Sequence, residues 1–337
     1  MTRNGPTLAL VAAVAAAAAA AAPDLAGQSA DGRTGTLVVL NKEPSTATLV
    51  DIASGEIRAI VPTGPTPHEL AMSSDGRRAV ASDYGGNTLT VVDVTGMQVV
   101  RTIDLGEHRR PHGLLFLPGD SLLAVTSEES RAVLLVNVAA GVVDRVVGTE
   151  AGGSHMVAVT GDGSTLYTGN ISDGTVSRLD VASGRLTRTY PVPPAPEAIT
   201  VSRDGTQVWV GSNERGVVSI LDTATGEVTT PLGGFQWPYR IRLVPEWNLA
   251  VIPDLRGNAV HFVDLASRNE LSTLDLPDAA PQGLALTADG GTLFLSLNAR
   301  GRVAVVDLDT RSVVRTLDVG PTPDGIGWSP LQLGEGG

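Results

Sequence analysis

The stretch "GPTPHELAMSSDGRRAVASDYGGNTLTVVDVTG" (Gly64–Gly96) contains the two features that decide the fold. It has a Pro-His pair at His68 and, 25 residues later, an apolar-apolar-Asp element that ends at Asp93. Between them, short runs alternate apolar and polar residues around an Asp75-Gly76 pair, which tolerates the positive φ of a hairpin turn. The stretch therefore predicts strand, turn, strand, loop and strand, with no helical period.

The apolar-apolar-Asp element recurs along the 337-residue chain in steps of 42 to 44 residues. We expect each Asp side chain to bind amides of the turn that follows it. Four strands per repeat of about 40 residues are typical of a β-propeller blade. The repeats therefore predict an all-β fold, a seven-bladed β-propeller with four-stranded antiparallel blades. The elements end at Asp51, Asp93, Asn137, Asp180, Asp222, Asp264 and Asp307.

The two ends of the repeat array predict how the ring closes. The first unit, from Gly35, has the last three strands of a blade but no first strand. The segment "GPTPDGIGWSP" (Gly320–Pro330) reads as a first strand without the rest of its blade. We expect this C-terminal first strand to join the three N-terminal strands and to close the ring. The propeller then spans residues 34–330 as one domain, and residues 331–337 form a flexible tail.

A second set of equivalent positions marks the start of each first strand. Six of them lie 25 residues before an Asp or Asn element, and Asp324 holds the same place in the C-terminal strand. First strands line the central channel of a propeller, so these residues should meet in a ring at one mouth. Three of the five histidines of the chain fall in this ring, in consecutive blades. The ring positions are His68, His112, His155, Glu197, Tyr239, Gln282 and Asp324.

The ring predicts a binding site. Neutral imidazoles with a carboxylate are a good ligand set for zinc, iron or copper, and three histidines leave coordination positions open. We therefore expect a divalent metal (Zn, Fe or Cu) held by His68, His112, His155 and Glu197. The alternative is a metal-free polar mouth, because a histidine at a strand start can simply hydrogen-bond a neighbouring carbonyl. The residues predicted to bind a ligand at this mouth are Tyr84, Tyr239, Arg240, Gln282 and Asp324.

Two repeats carry a resemblance to a known family. They are "APEAITVSRDGTQVWVGSNERGVVSILDTATGE" (Ala195–Glu227) and "APQGLALTADGGTLFLSLNARGRVAVVDLDT" (Ala280–Thr310), which resemble the YVTN-repeat β-propellers. The resemblance implies an exported seven-bladed propeller of the quinoprotein amine dehydrogenase-like and lactonase-like superfamily. Similar propellers include proteins of unknown role, lactonase-like hydrolases, dehydrogenase subunits and metal-dependent lyases or oxidases. The resemblance therefore selects no single function.

Composition excludes several classes of function. The formal net charge of -12 argues against nucleic-acid binding, which depends on a basic face, and against anionic lipid surfaces. The absence of cysteine excludes disulfides, thiolate metal ligands and a cysteine nucleophile. No serine stands in a Gly-x-Ser-x-Gly context, so a serine-hydrolase triad has no support.

The first thirty residues read as a signal peptide with a short leader. Arg3 precedes an apolar run, Leu8–Ala22, of 15 residues, which is shorter than the roughly 20 residues of a membrane span. Cleavage after Ala22 or after Ala30 fits the small-residue rule in part, and an uncleaved Ala-rich anchor is the alternative. We expect a periplasmic or secreted monomer without a membrane span once the signal is removed.

Three functions stay open on these observations. The first is an exported propeller that binds a small molecule or a protein partner at the His-bearing mouth, without chemistry of its own. The second is a metal-dependent hydrolase, lactonase, lyase or oxidoreductase, with Tyr239 or Arg240 stabilising negative charge. The third is a redox role beside a partner protein, for which the chain has no haem-attachment motif.

Overall fold

The computed structural model describes residues 1–2 and 33–333. All but the first two residues of the predicted signal peptide, together with its cleavage points, fall outside the described residues, as do residues 334–337 of the predicted tail. Within the described part, the chain forms β-strands and two single-turn 3₁₀ helices, at Pro245–Trp247 and Asn298–Arg300. None of the described helices has the length and apolar character needed to cross a membrane.

The strands form seven four-stranded antiparallel blades, numbered here from the N-terminus with the innermost strand of each given first. Blade 1 consists of β28 (Pro323–Ser329), β1 (Thr36–Asn41), β2 (Thr46–Asp51) and β3 (Ile57–Pro62). Blades 2 to 4 consist of β4 (Pro67–Met72), β5 (Arg78–Asp83), β6 (Thr88–Asp93) and β7 (Gln98–Asp104); β8 (Pro111–Phe116), β9 (Leu123–Ser127), β10 (Ala132–Asn137) and β11 (Val142–Gly148); and β12 (Ser154–Val159), β13 (Thr165–Asn170), β14 (Thr175–Asp180) and β15 (Arg185–Pro191). Blades 5 to 7 consist of β16 (Pro196–Val201), β17 (Gln207–Ser212), β18 (Val217–Asp222) and β19 (Val228–Gly233); β20 (Arg242–Val244), β21 (Leu249–Asp254), β22 (Ala259–Asp264) and β23 (Glu270–Asp275); and β24 (Pro281–Leu286), β25 (Thr292–Leu297), β26 (Arg302–Asp307) and β27 (Ser312–Asp318).

The ring closes as the sequence predicts. β28 pairs antiparallel with β1, with Leu37 opposite Trp328 and Val38 opposite Gly327. Blade 1 is therefore built from both ends of the propeller, and the all-β seven-bladed architecture is confirmed.

The core lies between the blades rather than in one central mass. Seven clusters of buried apolar side chains occur in the described residues, and each joins two neighbouring blades. The cluster between blades 7 and 1 contains Val39 and Phe294, both fully buried. Because both faces of a blade pack, middle strands such as β1 and β13 are buried at every position, whereas the outer strand β7 is mostly exposed.

Turn chemistry holds the repeat in register. The side chain that ends each apolar-apolar-Asp element accepts hydrogen bonds from backbone amides of the next turn, as predicted. In blade 2, for example, Asp93 Oδ1 accepts from the Gly96 amide at 3.0 Å. The first hairpin of the same blade turns at Gly76, whose φ of 71° suits glycine. These contacts explain why the spacing of the strands stays constant from repeat to repeat although the residues of the loops differ.

The closure of the ring makes truncation costly. Ending the chain after Gly320 removes β28, leaves β1 paired with β2 alone and exposes the cluster that contains Val39. We expect the melting temperature to fall by about 10 °C or more, because an apolar interface and a strand pairing are lost together. Differential scanning calorimetry would measure this, with a chain that ends after Leu333 as the control. Equal melting temperatures for the two truncated chains would contradict the closure.

Candidate functional site

The seven ring positions meet at one end of the central channel, here called the ring mouth. The chain enters the channel there through a sharp turn: in six blades, the residue two positions before the ring position has a φ between 49° and 71°. This left-handed conformation is unfavourable for most residues other than glycine. The packing of the surrounding blades, rather than the local preference of these residues, therefore maintains it. The six residues are Thr66, Arg110, Gly153, Ala195, Ala280 and Thr322.

The ring side chains form a packed cluster in which most of the polar groups are buried. Asp324 is 0% exposed, His112 2% and Glu197 4%, and Tyr239, His155 and Gln282 are also buried. His68 is the half-buried member. The residues that follow the ring positions contribute to this packing, because Glu69 and Arg240 are buried within it. We call these side chains, together with Tyr84 and Glu128, the ring cluster.

Glycine at the next position lets neighbouring blades approach closely within the cluster. A Cβ added to Gly113 would lie 2.7 Å from the Met156 Cα and 2.8 Å from the His155 carbonyl oxygen. This contact brings the His112 and His155 rings into a stack with centroids 3.7 Å apart. The ring of His68 lies 5.3 Å from that of His112 and 4.3 Å from that of Tyr84. The three predicted histidines are therefore neighbours, as the 25-residue interval requires.

His155 lies between two carboxylates. Its Nδ1 is 2.5 Å from Glu128 Oε1, and its Nε2 is 3.0 Å from Glu197 Oε1. Burial alone would lower the pKa of His155, but the charge of Glu197 and the hydrogen bonds to both carboxylates outweigh it and raise this pKa to about 9. Burial would raise the pKa of Glu197, yet the His155 cation holds it at about 2. In the absence of a metal, His155 is therefore an imidazolium at neutral pH.

The other two histidines of the stack are neutral. Burial, followed by the charge of Lys42, lowers the pKa of His68 to about 4. Burial and the neighbouring His155 lower the pKa of His112 well below its ordinary value. His68 Nδ1 lies 3.0 Å from the Thr66 carbonyl oxygen, which accepts only from a protonated nitrogen. In the neutral ring this fixes the proton on Nδ1 and leaves Nε2 as a bare acceptor.

A second group of charges fills the opposite side of the ring cluster. The Arg240 guanidinium donates to both Glu69 and Glu197 and is 8% exposed. Tyr239 donates its hydroxyl to Asp324 at 3.3 Å, and burial followed by the Asp324 charge raises the pKa of Tyr239 well above its ordinary value. Each charge in this group has a partner of the opposite sign.

The remaining contacts of the cluster bring in residues from loops and from a neighbouring strand end. Lys42 Nζ lies 2.7 Å from Asp324 Oδ2. Tyr84 donates to Glu128 Oε2 at 2.9 Å, and Arg110 stacks over the Tyr84 ring with its guanidinium carbon 4.5 Å from the centroid. The five predicted ligand-binding residues therefore all lie in the ring cluster. Four of them are buried, where they form hydrogen bonds with other protein groups or pack against them.

Three donors of the ring cluster have the spacing of a metal site. One ligand atom each from His112, Glu128 and His155 lies within 4.8 Å of the others. His112 and His155 are predicted ligands, whereas His68 and Glu197 lie outside this group of three. Glu128 is not among the predicted ligands, although its loop follows the second strand of the His112 blade and so reaches the same mouth.

Several buried polar atoms of the cluster lack a protein partner. Within the described residues, His112 Nδ1, Arg240 Nε and Gln282 Oε1 are buried and make no hydrogen bond to protein. Buried polar groups are nearly always satisfied in folded proteins, by protein, by ordered water or by a ligand. These three atoms can each form a further hydrogen bond with water or with a ligand.

Comparisons with known proteins agree with the fold. Residues 117–234 match the family model of the YNCE-like β-propellers. The crystal structure of a functionally unknown protein from Desulfotomaculum acetoxidans DSM 771 is similar over 88% of this chain and 99% of that chain, with a TM-score of 0.73 and 16% sequence identity. Among curated proteins, none matches the chain. The predicted resemblance to repeat β-propellers is confirmed, and the fold by itself selects no function.

The charge of His155 predicts a pH dependence of stability for the metal-free protein. Because its pKa of about 9 exceeds the unfolded value, the stabilisation is complete below about pH 6.5 and is lost as the pH rises through about 9. His155→Gln leaves Glu197 and Glu128 without this cation. We expect the variant to lose about 2–3 kcal/mol of unfolding free energy near pH 6, and the difference from wild type to shrink toward pH 10.

Urea denaturation in the presence of EDTA would measure this difference across the pH range. His108→Gln is the matched control, because His108 Nδ1 contacts Ser130 Oγ at 2.9 Å and no carboxylate of the cluster. A difference between His155→Gln and wild type that stays constant from pH 6 to 10 would show that His155 is not a cation in the fold.

Proposed function

We propose that this protein binds a divalent transition-metal ion in the ring cluster through His112, Glu128 and His155. The observation that carries the proposal is the convergence of these three ligand atoms within 4.8 Å, on side chains from blades 3 and 4. Imidazole nitrogens with one carboxylate suit zinc, copper and iron, which are the metals that the sequence suggests.

His155 supplies the second support, because its two ring nitrogens have different surroundings. His155 and Glu128 would hold an ion in place of the proton that they share. The other nitrogen, Nε2, would keep its hydrogen bond to Glu197 at 3.0 Å. A histidine that donates its second N–H to a carboxylate is the usual arrangement around protein-bound metals, since it fixes the ring and raises its basicity. Glu197 then positions His155 instead of binding the ion.

His112 supplies the third support. It is neutral, it is buried, and its Nδ1 has no hydrogen-bond partner in the described part of the protein. A neutral imidazole needs no deprotonation before it binds a metal, so its ligation costs less than that of a charged histidine. The stack against His155 holds the ring in place, which reduces the entropy lost on binding.

Binding is the function that the cluster supports, rather than catalysis. Arg240 is paired with Glu69 and Glu197, so its charge is not free to stabilise an oxyanion. Tyr239 is held by Asp324. Three protein ligands leave further coordination positions, which a small molecule or a side chain of a partner protein would fill. The apolar run Leu8–Ala22 supports the further proposal that the protein acts in the periplasm or outside the cell.

Isothermal titration calorimetry of Zn²⁺ and Cu²⁺ into untagged protein tests the proposal. We expect one ion per chain, and a loss of affinity of about 10-fold or more in His112→Ala and in Glu128→Gln, because each removes a ligand. Glu197→Gln should weaken binding about 10- to 100-fold through the orientation of His155. Proton release on binding, measured in buffers of different ionisation enthalpy, should accompany the displacement of the His155 proton.

His108→Gln and His261→Gln remove histidines outside the cluster and serve as controls for adventitious binding. His261 lies between Glu270 and Asp254 on blade 6, away from the group of three. Affinity that is unchanged in His112→Ala, or less than about 0.1 ion per chain after reconstitution, would sink the proposal.

A further inference from the structure

The channel below the ring cluster contains two adjoining cavities. Their volumes are about 550 Å³ and 380 Å³, which lies within the range of small-molecule sites. The larger cavity reaches the turns that join first and second strands, near Ser74 and Asp120, at the end of the channel opposite the ring mouth. We call this end the turn mouth. The smaller cavity reaches Glu69 and Arg240, which belong to the ring cluster. The ring cluster therefore closes one end of a channel whose other end is lined by surface turns.

The walls shared by the two cavities are apolar with one exception, Arg242. Arg242 lies three residues after ring position Tyr239, and the equivalent positions of the other six blades carry Ala, Leu, Thr or Gly. One charged side chain thus interrupts a wall that is otherwise free of charge. The apolar residues lining both cavities are Leu70, Leu114, Leu115, Val159, Leu284 and Ile326.

Arg242 has no counter-ion in the described residues. Within residues 33–333, no carboxylate forms an ion pair with it, and no side chain or carbonyl accepts a hydrogen bond from its guanidinium. Arg242 is exposed to solvent, and its side chain lines both cavities of the channel. The contrast with Arg240, two residues earlier and paired with Glu69 and Glu197, is complete.

An unpaired guanidinium between apolar walls is a recognition element for an anion. The planar fork of arginine matches carboxylate, sulfonate and phosphate groups, and the cation cannot deprotonate to relieve its isolation. Attraction between opposite charges is stronger in such a partly enclosed channel than at an open surface. The neighbouring leucine, isoleucine and valine side chains would pack against an apolar part of the ligand. This contact removes apolar surface of both from water, which favours binding.

We propose that the channel binds an amphiphilic anion, with its negatively charged group on Arg242 and its apolar part along the wall that contains Leu115, Leu284 and Ile326. The ligand enters by the turn mouth, because the ring cluster fills the other end. Charge complementarity selects this class of ligand over neutral lipids and over cationic amphiphiles. The site is separate from the metal ligands His112, Glu128 and His155, so either proposal can hold without the other.

Calorimetric titration of decanoate into the full chain in EDTA tests this site, with decanol as a neutral probe of the same chain length. We expect saturable binding of one decanoate per chain, and weaker binding of decanol. Arg242→Gln should weaken decanoate about 10- to 100-fold, because it removes charge-assisted hydrogen bonds. Arg242→Lys keeps the charge but loses the planar fork, so its affinity for decanoate should lie between those of wild type and Arg242→Gln. Decanol should bind wild type and Arg242→Gln equally.

Arg77→Gln is the matched control for general attraction of anions to the turn mouth. Arg77 is 63% exposed and lies in the first turn of blade 2, beside Asp75. Its replacement should leave the decanoate Kd unchanged, and thermal melts should show that both glutamine variants are folded. Absence of saturable decanoate binding, equal affinity in Arg242→Gln, or decanol binding as tightly as decanoate would each overturn the proposal. A loss of decanoate binding in Arg77→Gln equal to that in Arg242→Gln would do the same, because it would place the effect at the surface.

Discussion

The close approach of neighbouring innermost strands at the ring mouth is the constraint on which the rest of the structure depends. Gly283 and Gly325 allow it in blades 7 and 1, where an added Cβ would meet the backbone of the next strand at 2.2 Å and 2.5 Å. Gly113 does the same beside the histidine stack. Strands that approach so closely leave little space at the axis, so the ring side chains fill the channel end. A polar ring in this position becomes a buried cluster, in which every charge needs a partner.

The charged side chains of the ring cluster, with Lys42 and Arg110 beside it, meet this requirement because each pairs with a charge of the opposite sign. Four carboxylates face four cations once His155 is protonated, and Glu197 belongs to two of the pairs. The network is therefore coupled: removing the His155 proton changes the surroundings of Glu128, Glu197 and, through Glu197, Arg240. A divalent ion at His155 would take over the role of that proton. The carboxylates are Glu69, Glu128, Glu197 and Asp324, and the cations are Lys42, Arg110, Arg240 and His155.

The sequence predicts positions along the channel better than it predicts what fills them. The constant interval between His68 and Asp93 has no insertion, so strand order, ring closure and the level of each ring residue follow from spacing alone. The burial of the ring residues does not follow from spacing, because it depends on how far side chains such as Arg240 reach across the channel axis. Glu128 is absent from the predicted ligand set because that set contains ring positions only, although Glu128 stands 16 residues after His112, the same spacing as between His68 and Tyr84. Arg242 is not among the predicted site residues, because an arginine between apolar neighbours in a strand does not by itself indicate a function. Only the structure shows that it lacks a counter-ion in the described part of the chain.

The two arginines of blade 6 show how the same charge takes different roles at different depths of one channel. Arg240 lies at the level of the ring, where it forms ion pairs with Glu69 of blade 2 and Glu197 of blade 5. These pairs stabilise the ring cluster. Arg242 is two residues deeper, where the other blades present only uncharged side chains. Arg242 is exposed to solvent in the channel, and no carboxylate of the described residues pairs with it, so its charge remains available to an anion there. Because two carboxylates balance the charge of Arg240 and none of the described ones balances that of Arg242, an anion would be attracted to the channel rather than to the ring.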